Sequence, residues 1–123
     1  ITNPVFRCLD GDDALDFLHQ TNAYNEALDE SLKVPRPAII LLDLNLPGTD
    51  GREVLEHIKV DEYLQTIPVV VLTTSSNPKD IEICYQKGAN SYLLKHVNLE
   101  KFNQAIQLLN DYWFKAVVLP GSI

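Results

Sequence analysis

The sequence predicts an α/β domain built on a sheet of parallel strands, and three observations carry that prediction. Two apolar runs, AIILL at residues 38–42 and VVVL at residues 69–72, are continuous rather than alternating, and turn residues bound them. That is the pattern of strands covered on both faces. Amphipathic segments of helical period follow each run, and the connections are short, as in parallel strands joined by right-handed crossovers.

Residues 4–9 (PVFRCL) are short, rich in aromatic and β-branched types and followed by Asp10-Gly11, which reads as a strand entering a turn. Asp12 or Asp13 is the expected cap of a helix over residues 12–20, where Ala14, Leu15 and Leu18 share a face with Phe17 beside them. Residues 21–37 are polar and close with Pro35 and Pro37, which suits either a helical extension or a long exposed loop. After the strand ending at Asp43, the chain turns at Pro47, Gly48 and Gly51. Residues 52–59 then place Val54, Leu55 and Ile58 on one stripe.

Pro68 introduces the second buried strand, which runs into Thr73, Thr74, Ser75 and Ser76. Asn77-Pro78 is a helix start and Gly88 the matching stop, with Ile81, Cys84 and Tyr85 as the apolar face. SYLL at residues 91–94 is a third strand, delivering Lys95. A last helix begins near Asn98 and carries Phe102, Ile106, Leu109 and Trp113 at spacings of 4, 3 and 4. The apolar tail, residues 115–123, docks on the domain or on a partner.

With 123 residues and 46% hydrophobic content, the chain can bury one core, so one domain is expected. A net charge of −7 lacks the basic face that nucleic acid or anionic lipid would need, which argues against both partners. Cys8 and Cys84 lack the spacing of a disulfide framework or zinc site and read as buried thiols. The longest apolar runs fall far short of the ~20 residues that span a bilayer, so a cytoplasmic location is expected. The chain has no Met and opens on Ile1, a residue too bulky for ordinary initiator removal, so an incomplete N-terminus is expected.

In an open α/β sheet, ligands bind beyond the carboxyl ends of the strands. That rule selects Asp43, Thr73 and Lys95, a carboxylate, a hydroxyl and an ammonium along one rim. The combination suits phosphoryl handling: the acid can act as nucleophile and metal ligand, while the other two stabilise oxygens of the transferred group. An isolated Asp43 could instead be a turn or capping acid before Pro47, but that would leave the matching positions of Thr73 and Lys95 unexplained. One carboxylate is a poor cage for Mg²⁺, which prefers six oxygens, so a backbone carbonyl such as that of Asn45 and further acids are needed.

The set LLDLNLPGTDG, VVVLTTSS and GANSYLLK, with its separations from Asp43 to Thr73 to Lys95, resembles the receiver domain of two-component response regulators over residues 4–109. Within that family it is most similar to the single-domain regulators paired with bacterial and cyanobacterial phytochromes. The resemblance implies a flavodoxin-like doubly wound parallel sheet of order 2-1-3-4-5, with residues 1–123 forming one receiver. It implies that Asp43 accepts phosphate from a sensor histidine kinase such as a phytochrome, with Mg²⁺ as cofactor. It further implies that Asn45 offers its backbone carbonyl to the metal, that Lys95 contacts a phosphate oxygen, and that Thr73 and Tyr92 form the switch. A change of protein-interaction surface would be the output, rather than turnover of an external substrate. The final helix and tail offer a surface for a homodimer.

Two positions depart from the family pattern. The acidic pair that completes the magnesium site belongs to a first strand that should precede Pro4; this strand and its helix are missing from the sequence and are expected upstream of Ile1. Asp10, Asp12 and Asp13 follow the second strand of the pattern and lie on the wrong element to replace that pair. His96 stands where the family usually has a proline joined by a cis bond. A cis bond before a non-proline residue costs about 2.5 to 4 kcal/mol, so Lys95-His96 is expected to be trans, with Lys95 held differently, or strained. His19 and His57 are expected to be solvated. The alternative reading is a degenerate receiver that docks without phosphorylation. An aspartate-nucleophile phosphatase fits less well, because its D-x-D motif needs an acid where this chain has Asn45.

Overall fold

The computed structural model describes residues 8, 10–25, 37–45, 50–95 and 98–120. In these, three strands, β1 (Ile40–Asp43), β2 (Val69–Thr73) and β3 (Ser91–Leu94), form one parallel sheet in the order β1-β2-β3. The helices are α1 (Gly11–Asn25), α2 (Gly51–Val60), α3 (Pro78–Gln86) and α4 (Leu99–Asn110), the last continuing into a π-helical segment, Asp111–Ala116. This is the doubly wound arrangement expected of a flavodoxin-like fold. The expected strand over residues 4–9 and the peptide joining Lys95 to His96 lie outside the described residues.

Polar side chains close the helix starts, as expected at Asn77 and with a correction at α1. Asp10, rather than Asp12 or Asp13, caps α1 by accepting the Asp13 N–H at 2.8 Å. Asp10 is the last residue before the helical turn, where its side chain can reach an amide left without an intrahelical partner. Asp50 caps α2 through the Arg52 N–H, Asn77 caps α3 through Lys79, and Asn98 caps α4 through Glu100 and Lys101. The polar stretch after residue 20 continues α1 as far as Asn25. Residues 26–36 lie outside the description.

Most of the core sits on one face of the sheet. Val54, Leu55 and Ile58 of α2, Cys84 of α3 and Leu18 of α1 pack on Leu42, Val69 and Val71. Val70 points to the other face. There, with Ser91 and Leu93, it meets Ala105, Leu108 and Leu109 of α4 and Tyr112 and Trp113 of the π segment around an apolar groove of 240 Å³. The rings of Tyr112 and Trp113 meet edge to face, 5.3 Å between centroids.

Burial departs from expectation at three places. Leu41 is 43% exposed although its strand reads as doubly covered; α4 and the π segment line their groove with residues of β2 and β3, not of β1. Tyr85 is exposed, so that Cys84 and the half-buried Ile81 carry the inner face of α3. Cys84 is buried whereas Cys8 is half-buried. His19 and His57 are exposed.

Lys59 fastens the end of α2 to the two strands beside it. Its ammonium donates to the carbonyls of Ile67 at 3.0 Å and Gln65 at 3.3 Å and to Asn90 Oδ1 at 3.2 Å, and that same Asn90 oxygen accepts the Val69 N–H at 2.9 Å. Burial pushes the Lys59 pKa below the usual lysine value. Gly88 lies directly above the stem. Its φ is +106°, and a Cβ there would stand 2.7 Å from Lys59 Cγ. An L side chain is strained in that conformation by roughly 1–2 kcal/mol, and the stem is not free to retreat while its ammonium is held. Gly88→Ala is therefore expected to lower the unfolding free energy by about 1 to 2 kcal/mol, read from the urea midpoint at unchanged slope. An unchanged midpoint would show that the turn relaxes.

Candidate functional site

Strand register brings the three predicted groups to one rim. Asp43 is paired with Leu72 and Thr73 with Leu94, so Asp43 ends β1, Thr73 ends β2, and Lys95 follows β3 directly. The backbone reinforces this alignment: the Lys95 N–H donates to the Thr73 carbonyl at 2.8 Å and the Leu44 N–H to the Leu72 carbonyl at 2.9 Å. Apolar side chains drive the strands into the sheet, and the polar residue at each end is left at its edge.

Asp43 and Lys95 meet as an ion pair, the Lys95 ammonium donating to Asp43 Oδ2. Both side chains are about three-quarters covered, so the pair is screened less than one on the open surface. The other carboxylate oxygen, Oδ1, accepts the Asn45 N–H at 2.8 Å. A cation and a backbone N–H thus both face the acid.

Thr73 is buried, with only 2% of its surface exposed. Its hydroxyl oxygen accepts the Ser75 N–H at 3.2 Å. Tyr92 is half-buried on β3 and donates its phenol hydroxyl to the Ser75 carbonyl at 2.8 Å. Burial pushes the Tyr92 phenol pKa up, against the lowering effect of its contact with Ser75.

Several polar groups that no sequence motif singles out complete this edge. The Asn45 side chain accepts the Thr74 N–H at 3.2 Å, tying the β1 end to the segment after β2. Ser75 donates its hydroxyl to Asp80 Oδ2 at 2.6 Å, and Arg52 donates to Asp80 Oδ1 at 2.9 Å. The Ser75 hydrogen bond, then the Arg52 charge, hold the Asp80 carboxyl below the usual carboxylate range. The sequence signals for these residues are weak: a hydroxyl run, an acid in the first turn of α3 and an Arg in the first turn of α2.

Mg²⁺ prefers oxygen ligands and usually keeps several waters. Asp43, with Asn45 bound beside it, supplies the beginning of such a set. Among the described residues, no group of three or more His, Cys, Asp or Glu side chains is placed to hold a metal ion. Asp10, Asp12 and Asp13 therefore form no metal cluster, and Asp10 is engaged at the start of α1. A carboxylate such as Asp43 would supply only part of a Mg²⁺ shell, and water and further oxygens would have to complete it.

Comparison with known proteins agrees with this geometry. The response regulator receiver domain family matches residues 7–107. Response regulator Rcp1 of Synechocystis sp. is 44% identical over 113 residues, spanning 92% of this chain and 72% of that protein. The crystal structure of the phosphorylated cyanobacterial phytochrome response regulator RcpA superposes with a TM-score of 0.83 at 41% identity, covering 95% of this chain and 79% of the other. The Mn²⁺-bound form of Rcp1 gives a TM-score of 0.78 at 45% identity, covering 91% and 76%. Among the described residues, no helix is long and apolar enough to cross a membrane.

Proposed function

The chain belongs to the response regulator receiver domain family, and on that premise we propose that it accepts a phosphoryl group on Asp43 from a sensor histidine kinase and answers by changing its protein-interaction surface. The observation that carries this reading is the contact of Lys95 with Asp43 at the carboxyl rim of the sheet, beside the strand end that presents Thr73. A carboxylate oxygen of Asp43 forms the new bond to phosphorus as the P–N bond of the phosphohistidine breaks, and the departing imidazole takes a proton from solvent.

Little covalent help is needed for such a transfer beyond positioning and charge compensation. Lys95 supplies part of the compensation from a point already in contact with the acceptor. Asp43 and the carbonyl of Asn45 are the proposed protein ligands of Mg²⁺, which when bound neutralises charge on the phosphoryl oxygens. Mn²⁺ is bound by the relative Rcp1, and this supports a divalent-cation site here. The Thr73 hydroxyl and Tyr92 are the proposed switch, because a phosphoryl group brings roughly two negative charges beside them. That is a differential interaction able to shift a two-state equilibrium. The relationship to RcpA supports a phytochrome as the kinase. The readout surface is assigned to α3, β3 and α4. The chain is thus a signalling component, not an enzyme acting on an external substrate.

The test is labelling with a small phosphodonor, with and without Mg²⁺, followed by mapping of the modified peptide. Base-labile label on the peptide containing Asp43, dependent on Mg²⁺, is expected; label on another residue would refute the assignment. Folded protein that takes no label would favour the docking module that works without phosphorylation. Lys95→Met keeps the aliphatic stem and deletes the ammonium. Its initial labelling rate is expected to fall about 10- to 100-fold, at or below the lower end of the loss seen when one donor to a developing anion is removed from a buried site. A rate within twofold of wild type would show that Lys95 does not act on the phosphoryl group.

A further inference from the structure

Ser75 has every polar group of its backbone and side chain committed to a different partner. Its N–H goes to the Thr73 hydroxyl, its carbonyl accepts from Tyr92, and its own hydroxyl donates to Asp80 while accepting the Asn77 N–H at 3.3 Å. Asp80 is in turn held by Arg52, at 2.9 Å, with the two side chains 26% and 34% exposed. Arg52 belongs to the first turn of α2, where its N–H binds Asp50 Oδ1 and its guanidinium lies 3.6 Å from Asp50 Oδ2. The segment joining β2 to α3 is thus bolted to the starts of two helices through one serine.

We propose that Arg52 and Asp80 are positioning residues that act through Ser75 to restrain the Thr73 hydroxyl and Tyr92, setting how readily the switch leaves the conformation seen here. This rests on the reading of Asp43 as phosphoacceptor. Motion of the Thr73 hydroxyl toward a phosphoryl group on Asp43 draws it away from the Ser75 N–H. Ser75 cannot follow without disturbing its bonds to Tyr92 and Asp80. The Arg52–Asp80 pair therefore opposes the movement, and weakening it lowers the cost of reaching the phosphorylated arrangement. The low pKa of Asp80 agrees with a carboxylate that is charged and engaged at neutral pH.

The experiment compares wild type with Asp80→Asn, Arg52→Gln, Arg52→Lys and Ser75→Ala. Glu56→Gln serves as control, since it removes the exposed Lys87–Glu56 ion pair elsewhere on the surface. Labelling by a small phosphodonor is expected to be about 2- to 10-fold faster in Asp80→Asn and Arg52→Gln, the range typical of coupling between contacting residues. Arg52→Lys keeps a cation opposite Asp80 and is expected within about twofold of wild type, as is Glu56→Gln. Without phosphodonor, the ¹H–¹⁵N resonances of Thr73, Thr74 and Tyr92 are expected to move in Asp80→Asn and to stay fixed in Glu56→Gln.

Asp80→Asn that is folded but labels no faster than wild type overturns the proposal, as do resonance changes confined to α3. Ser75→Ala carries the same expectations as Asp80→Asn and decides the matter if that variant does not fold. Absence of label in wild type itself would count against the phosphoacceptor reading. The spectra would then decide separately whether Asp80 positions Thr73 and Tyr92.

Discussion

Asp43→Asn is expected to remain folded and to take up no phosphoryl group above background under conditions that label the wild type. The substitution preserves shape, and the side-chain carbonyl of Asn can still accept the Asn45 N–H that now binds Oδ1. It removes the negative oxygen that must attack phosphorus, and an amide oxygen offers no acyl phosphate in its place. Lys95 loses its ionic partner, but at about one-quarter exposure it can turn to water. The stability cost is therefore expected to be small, up to about 1 kcal/mol. The checks are label incorporated per chain beside a thermal melt: loss of label with a melting point within a few degrees of wild type is the expected pair. Label that survives would place the acceptor elsewhere. Loss of label together with unfolding would make Asp43 a structural acid rather than a nucleophile.

The reasons that Asp43, Thr73 and Lys95 were legible in the sequence are physical. Each closes an apolar run, parallel strands share a direction, and the polar residue ending each strand must come to the same edge of the sheet. Asn77 was legible as a cap for a similarly local reason, since a capping side chain reaches only two or three residues along the chain. What escaped was nonlocal. Arg52 and Asp80 are 28 positions apart and neither interrupts the apolar period of its helix, so nothing in the spacing announces that their first turns face each other. The triple acceptor set around Lys59 is equally silent, because two of its three members are backbone carbonyls. Leu41 misled because an apolar run reports the capacity of a strand for burial on two faces, whereas exposure depends on what is packed over each. The spacing of the Trp113 stripe predicts one regular helix. In the structure the chain adds a π-helical segment from Asp111, and Tyr112 and Trp113 turn together onto the groove.

Leu55→Ala carries the largest expected cost to folding. Leu55 is fully buried on α2, within the cluster formed by its helix neighbours, Val69 and Val71 of β2, and Cys84 of α3. Truncation removes three heavy atoms from that cluster and leaves a cavity that a strand and two helices would have to shift together to fill. Losses at comparable sites run from about 2 to 5 kcal/mol, against a total stability of about 5 to 15 kcal/mol for an ordinary domain. For a chain of this length the melting temperature is expected to fall by roughly 10 to 20 °C. Val60→Ala, on the same helix but at a side chain 72% exposed, is expected to change stability by less than about 0.5 kcal/mol. The pair isolates burial from helix propensity, since both replacements install Ala in α2. Well below its own melting point, Leu55→Ala should still label at Asp43, because the rim is fixed by strand register and by Lys95, which Leu55 does not touch through any polar contact. A drop in labelling as large as that of Lys95→Met, in protein shown to be folded, would mean that packing beneath α2 controls the rim. The site would then be a property of the whole sheet-and-helix layer rather than of its edge.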